Sequence, residues 1–186
     1  IEACGGTHLP SSGEAEQFYI TGSKRIQDGV IRIEYKAGEA AEQFINSIEK
    51  RMEDISEKLD TELESNPRIA QRDLCDTFSV EPEQLIDTVN RFIKENREYR
   101  EKIERLSEFL EIDEETTEIT GEKTVEKAQS LFNEWKKREK KVEKLEGRIE
   151  EKIEEKLTGD SLKVEVPTEN VGLLIQVAKK LSNKHQ

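Results

Sequence analysis

Residues 81–110 read EPEQLIDTVNRFIKENREYREKIERLSEFL. Leu85, Val89, Phe92, Tyr99, Ile103, Leu106 and Leu110 step by threes and fours once polar Asn96 is counted among them. That spacing places them on one face of a helix. Pro82 suits its opening, and Glu81, Glu83 and Gln84 suit its positive end. A narrow apolar stripe on a charged helix needs a neighbour to cover it. Residues 124–157 offer the same design: Leu131, Trp135, Val142, Leu145, Ile149, Ile153 and Leu157, interrupted by Arg138. Asn90-Arg91-Phe92 is echoed by Asn133-Glu134-Trp135. The pattern predicts two antiparallel arms of a helical hairpin, or coiled-coil partners, with Asn96 or Arg138 fixing the register. Between them, the acidic, Thr-rich residues 111–123 read as a loop.

Upstream, Ala41, Ile45, Ile48, Met52, Ile55, Leu59 and Leu63 mark a helix of some 25 residues beginning near Gly38, its stripe widened by Phe44. Asn66-Pro67 ends it and starts a short helix over about 68–77, with Ile69, Leu74, Cys75 and Phe78. Residues 1–38 differ, holding six of the ten glycines. Phe18-Tyr19-Ile20 reads as a short strand, Asp28-Gly29 as a turn, and Ile31 to Tyr35 alternates as a strand does. Downstream, Leu162-Lys163-Val164-Glu165-Val166 alternates as a strand, and Pro167 stops it. A last helix, about 169–183, is expected to turn Val171, Leu174, Ile175, Ala178 and Leu181 inward. The fold class is therefore mainly α: long amphipathic helices in a hairpin or coiled-coil-like bundle. Residues 1–38 form the end of an α+β unit, 39–160 the helical region, and 161–186 the start of a C-terminal α/β domain.

The 186 residues allow one or two domains. Charged residues are 39% and apolar ones 33%, which suits elongated helices better than one large round core. Net charge is −12, which argues against indiscriminate nucleic-acid binding but leaves room for a local basic surface. No run approaches the roughly 20 apolar residues of a membrane span. Two distant cysteines give no disulfide framework, so a reducing cytoplasm is the default compartment.

Chemistry concentrates in Cys4-Gly5-Gly6-Thr7-His8. A thiolate and an imidazole are good zinc ligands, and glycines let backbone close around an ion. Two ligands do not complete a site. The other Cys and His, Cys75 and His185, lie far off in expected helices. Either this is no metal site, or further ligands lie upstream of Ile1, and the chain reads as a fragment.

Ala3-Cys4-Gly5-Gly6-Thr7-His8, Ser12-Gly13-Glu14 and Ile26-Gln27-Asp28-Gly29-Val30-Ile31-Arg32-Ile33-Glu34 closely resemble the end of the editing domain in the alanyl-tRNA synthetase family. The wording around Gln27 is of the archaeal type. The motifs cover about 35 residues; the rest resembles the family by order of elements. The resemblance implies that Cys4 and His8 are two of four ligands to an editing Zn2+, with a His-x-x-x-His pair upstream. It implies a parent ligase that uses ATP and Mg2+ to attach alanine to tRNA(Ala) and hydrolyses seryl- and glycyl-tRNA(Ala). A small-amino-acid pocket discriminates too weakly alone, so a second sieve is physically needed. It further implies a homodimer through the helical and C-terminal regions, no membrane, and no activity of this segment alone.

Thr7 is the candidate for contact with the scissile ester. Lys24, Arg25 and Arg32 are the candidates for tRNA contacts. Lys136, Lys137, Arg138, Lys140, Lys141 and Lys144 form a basic run, better read as a solvated face pairing with glutamates of the neighbouring helix than as an RNA contact. Trp135 is expected as a core anchor and Cys75 as a small buried hydrophobe. Two alternatives stand beside the ligase reading: a freestanding alanyl-tRNA editing hydrolase with a helical tail, and a non-catalytic helical dimerisation module.

Overall fold

A computed structural model describes residues 5–6, 8–113, 117–157, 165–168 and 170–184. The chain is mainly helical, with one two-stranded antiparallel sheet. Strand β1 (Phe18–Gln27) and strand β2 (Val30–Ala37) form a hairpin. Asp28-Gly29 turns it, with Gly29 at φ +75°, where a side chain would be strained. Among the described residues six α-helices follow: α1 (Glu39–Leu59), α2 (Pro67–Phe78), α3 (Leu85–Leu110), α4 (Thr124–Glu146), α5 (Ile149–Leu157) and α6 (Val171–Lys184).

The hairpin is longer than the two short strands expected. Residues 21–27, which show no clean alternation, are held as strand by pairing with β2. The ladder slips between Ile20 and Gly22 and again between Arg25 and Gln27, which breaks the period-2 pattern.

Helix α1 stops at Leu59, short of Leu63. Asp60 takes a left-handed conformation, and Thr61 N–H reaches back to Ser56 O at 3.0 Å. Glu62 then pairs its backbone with the residues before α4: its N–H donates to Glu122 O at 3.0 Å and its carbonyl accepts from Thr124 N–H at 3.2 Å. Tertiary backbone pairing thus overrides the helical pattern. Helix α2 starts as expected. Asn66 Oδ1 accepts from the N–H groups of Arg68 and Ile69, and Pro67 holds the first turn. Pro82 opens a 3-10 turn, Pro82–Gln84, and Glu81 and Gln84 close a reciprocal cap ahead of α3.

Helices α3 and α4 do pair along their stripes, but in parallel, not as an antiparallel hairpin. Phe92 meets Phe132 and Trp135, Asn96 meets Leu131 and Arg138, Lys102 meets Glu146, and Glu111 meets Lys152. Both partners advance together along the chain. A 26-residue helix is about 39 Å long, so the connection must return that distance. Residues 111–123 can reach about 43 Å when extended. Residues 117–123 run back beside α4: Thr117 O accepts from Arg138, Thr120 N–H donates to Ser130 Oγ, and Glu122 N–H to Glu126 Oε2. The stripe on each helix says that it needs a partner; it carries no direction.

The third long helix is also broken. Arg148 N–H bonds Leu145 O, three residues back, and the helix restarts at Ile149. The stripe continues across the break through Leu145, Ile149 and Ile153. The expected strand at 162–166 falls largely outside the described residues, and Glu165 and Val166 carry no strand pairing. Among the described side chains of α6, Val177 is buried with Leu173 packed beside it, while Val171, Ile175 and Ala178 are exposed; that of Leu181 lies outside the described ones. The helix is apolar on too many sides for its pattern to choose a face, and packing chooses. Asn170 Oδ1 caps it by accepting from Leu173 N–H.

Two cores result. The first gathers Ile48, Met52 and Ile55 of α1, Leu74 of α2, Leu85 and Val89 of α3, and Leu131 of α4. Phe92 sits among Phe78, Phe132 and Trp135 at centroid distances of 5.1 to 5.4 Å. Trp135 is thus the core anchor expected. The second core joins Ile103, Leu106, Leu110, Val142, Leu145, Ile149, Ile153 and Val177. The buried stripe residues of α1 to α4 thus pack against one another within the chain.

Candidate functional site

The residues singled out by sequence fall in two places, the N-terminal motif with its hairpin and the α3/α4 seam. Of the motif, Cys4 and Thr7 lie outside the described residues. His8 is exposed. A Cβ built on Gly5 would meet nothing within 4 Å among the described residues. Among the described residues no group of three or more His, Cys, Asp or Glu could hold a metal ion. Ser11 Oγ accepts from Gly13 N–H and caps the short 3-10 turn after the motif. Gly38 N–H donates to Ala15 O and Gln17 O, both at 2.8 Å, tying that turn to the far end of the hairpin.

On the hairpin, Lys24 and Arg32 stand directly opposite each other. Two like charges in that register repel, a cost that an anion between them would relieve. Arg25 is different. It makes an ion pair with Asp28 across the turn, so its charge is already answered, though weakly at that exposure. Sequence reading missed Lys36. It shares a face with Arg32 by alternation along β2, and its ammonium lies 5.1 Å above the Phe44 ring. It also missed Arg68 of α2, stacked 5.1 Å over Tyr19. The alternation Arg32, Glu34, Lys36 was visible in the sequence; the approach of Arg68 was not. Arg68, Tyr19 and Phe44 border a cleft of about 870 Å³ between the hairpin and α1 and α2, which Cys75 also lines; Lys24, Arg25, Arg32 and Lys36 are not in its lining. Burial, then Glu81, pushes the Cys75 thiol up; the side chain is half-buried where a small buried hydrophobe was expected.

In the α3/α4 seam, Asn96 Nδ2 donates to Phe92 O at 2.9 Å and Leu131 O at 3.0 Å. Arg138 donates to Asn96 O at 3.0 Å and Thr117 O at 2.7 Å. Asn96 and Arg138 together fix the helices and the returning connection in one register, as a polar seam residue does. Burial, opposed by Glu134 and reinforced by the nearby Arg100, lowers the Arg138 pKa. Burial pushes the Glu134 carboxyl up, but hydrogen bonds from Lys137 and Thr117 outweigh it and hold the pKa below the ordinary 4.5. The basic run is dispersed around α4. Arg138 is buried, Lys137 pairs with Glu134 of its own helix, and Lys136 lies 4.0 Å over Phe132.

Residues 1–34 match the family described as the threonyl and alanyl tRNA synthetase second additional domain. An alanine–tRNA ligase of Methanopyrus kandleri is 39% identical over 110 residues, covering 59% of this chain and 10% of that protein. One from Archaeoglobus fulgidus is 36% identical over the same extent. One from Sulfurisphaera tokodaii is 31% identical over 175 residues, covering 91% of this chain and 17% of that protein. The chain thus spans between about a tenth and a sixth of the length of these curated relatives. No solved structure matches it significantly. None of the described helices is long and apolar enough to cross a membrane. A domain match over the motif and an alignment that runs on through the helices agree in supporting kinship of this chain with a segment of archaeal alanyl-tRNA synthetases.

Proposed function

We propose that this segment serves a cytoplasmic enzyme that ligates alanine to tRNA(Ala) and removes mischarged serine and glycine. The observation that carries this is the Cys4 to His8 motif lying within the matched second additional domain, followed in the same alignment by the helical body. Residues 1–38 would complete the editing site, 39–160 would carry it at a fixed distance from the rest, and 161–186 would begin the next domain. The donor set fits zinc: a thiolate and a neutral imidazole spaced around two glycines. Cys4 and His8 would hold it, with the other ligands supplied from outside this sequence. Zinc there would supply Lewis acidity toward the ester or anchor the tRNA end. Thr7 and the backbone at Gly5 would approach the aminoacyl ester. Lys24 and Arg32 would meet the acceptor phosphates, with Arg25 secondary because Asp28 neutralises it. ATP and Mg2+ would serve the aminoacylation domain of the parent enzyme, which is read as a homodimer.

The test uses the full-length enzyme. Cys4→Ala is expected to lower bound zinc and seryl-tRNA(Ala) hydrolysis together while alanylation persists. If zinc content and hydrolysis both stay at wild-type levels, the assignment of Cys4 fails.

A further inference from the structure

Away from the motif, a cleft of about 490 Å³ opens where the returning connection crosses the α3/α4 seam. Its lining has an unusual charge balance. Lys58 of α1, Arg97 and Arg100 of α3, and Lys127 and Arg138 of α4 face it, against the carboxylate of Glu118. This is a local reversal of sign in a chain of net charge −12. Leu59, Ile93, Ile119 and Leu131 form its apolar part.

The cations there are poorly answered. Lys58 and Arg97 make no ion pair among the described residues. Lys127 donates to the carbonyl of Asp60, and both guanidinium NH2 groups of Arg138 donate to carbonyls. Arg100 pairs with Glu104 at 3.0 Å on the exposed side of α3. Two polar atoms are also left over. Arg138 Nε and Asn96 Oδ1 are buried without a partner, on side chains only 7% and 2% exposed that line the cleft. A buried donor and acceptor left unmade cost free energy unless something enters to meet them. The repulsion between Arg100 and Arg138 has the same remedy, since a bound anion would lower it.

We infer that this cleft is a phosphate-binding site, formed by Lys58, Arg97, Arg100, Lys127 and Arg138, for a phosphorylated ligand with an attached apolar or hydroxyl-bearing portion. The forked guanidinium groups of Arg97 and Arg100 suit phosphate oxygens. The chemistry is shared by an RNA backbone and by a free polyphosphate or nucleotide. The site is independent of the zinc motif, so its failure and the failure of the editing reading are separable.

The test measures binding of two probes to the intact chain by calorimetry at fixed salt: sodium tripolyphosphate and a short RNA stem-loop. The double variant Arg97→Gln/Arg100→Gln alters exposed residues, and its fold is checked by its thermal midpoint. Lys140→Gln/Lys144→Gln removes the same charge from the outer face of α4. At least one probe is expected to bind. The cleft variant is expected to weaken that binding on the order of tenfold or more, and the outer-face variant less than about twofold. RNA-only binding assigns the ligand to a nucleic-acid backbone, and binding of tripolyphosphate assigns it to a free polyphosphate. Absence of binding by both probes, or equal weakening by both variants, overturns the inference.

Discussion

The hairpin and the helical body treat their apolar residues in opposite ways. In the body, Ile48, Met52, Ile55, Leu74, Leu85 and Leu106 are all but inaccessible to solvent. On the hairpin, Phe18, Ile20, Ile31, Ile33 and Tyr35 are each more than half exposed. They share one face: Ile20 is opposite Tyr35, Ile33 opposite Ser23 and Ile31 opposite Arg25. Only the other face, through Tyr19 on Phe44, is packed against a helix. The same kind of side chain therefore contributes stability in one region and almost none in the other. A two-stranded ribbon is marginal by itself, and its surroundings decide whether it is rigid.

The largest effect that would sharpen this contrast is a cavity in the first core. Leu74→Ala is expected to cost about 2–5 kcal/mol, read as a lowered denaturation midpoint at unchanged slope. A loss below about 1 kcal/mol would mean that this core is loosely packed. Next is the seam. Arg138→Ala strips partners from Asn96 O and Thr117 O, and is expected to cost about 1–3 kcal/mol. Hydrogen exchange should rise first at the connection, since Thr117 loses its tie to α4. Acid comes third. Burial pushes the Glu146 carboxyl up, but Lys102 and Thr168 hold it below the ordinary 4.5, as Lys137 and Thr117 do for Glu134. With the folded pKa depressed, this stabilisation is complete above the unfolded value and is lost as pH falls through the folded one. Thermal midpoints should drop as pH is lowered below about 4.5, and Glu146→Gln should flatten that drop. The smallest effect is expected on the exposed hairpin face. Ile33→Thr should change stability by no more than about 0.5 kcal/mol. A larger loss would mean that this face is covered in solution.

Much of the helical content was legible because propensity, caps and period agreed. Asn66-Pro67 and the stripe from Leu85 to Leu110 are local signals, and the structure keeps them. What failed was relational. The stripe on α4 does not tell whether α3 lies up or down beside it, and short-connection habit favoured the antiparallel answer. Leu63 fits the α1 period, yet backbone pairing at Glu62 captures the chain first. Lys24 and Arg32 could be named together because both lie in one local motif. The approach of Arg68 to Tyr19 and the cleft at Arg97 could not, because their groups converge from elements distant in sequence. The Cys4 to His8 motif is readable as a pattern alone, since Cys4 and Thr7 lie outside the described residues.

The parallel arrangement of α3 and α4 also sets the order in which the chain can assemble. An antiparallel pair can zip from its turn, where the first contacts close only a few residues. Here even the contact of Asn96 with Leu131 lies 35 residues apart in the chain. Relative to a turn of about four residues, that roughly ninefold longer closure costs about 2 kcal/mol more in chain entropy. The α3/α4 seam therefore has no cheap nucleus of its own. The α1–α2 hairpin, with its short closure between Arg51 and Gln71, is the natural first structure. The pairing of Glu62 with the residues before Thr124 then delivers α4 to its place. Substitutions in α1 and α2 should accordingly slow folding, and those in the second core should mainly speed unfolding.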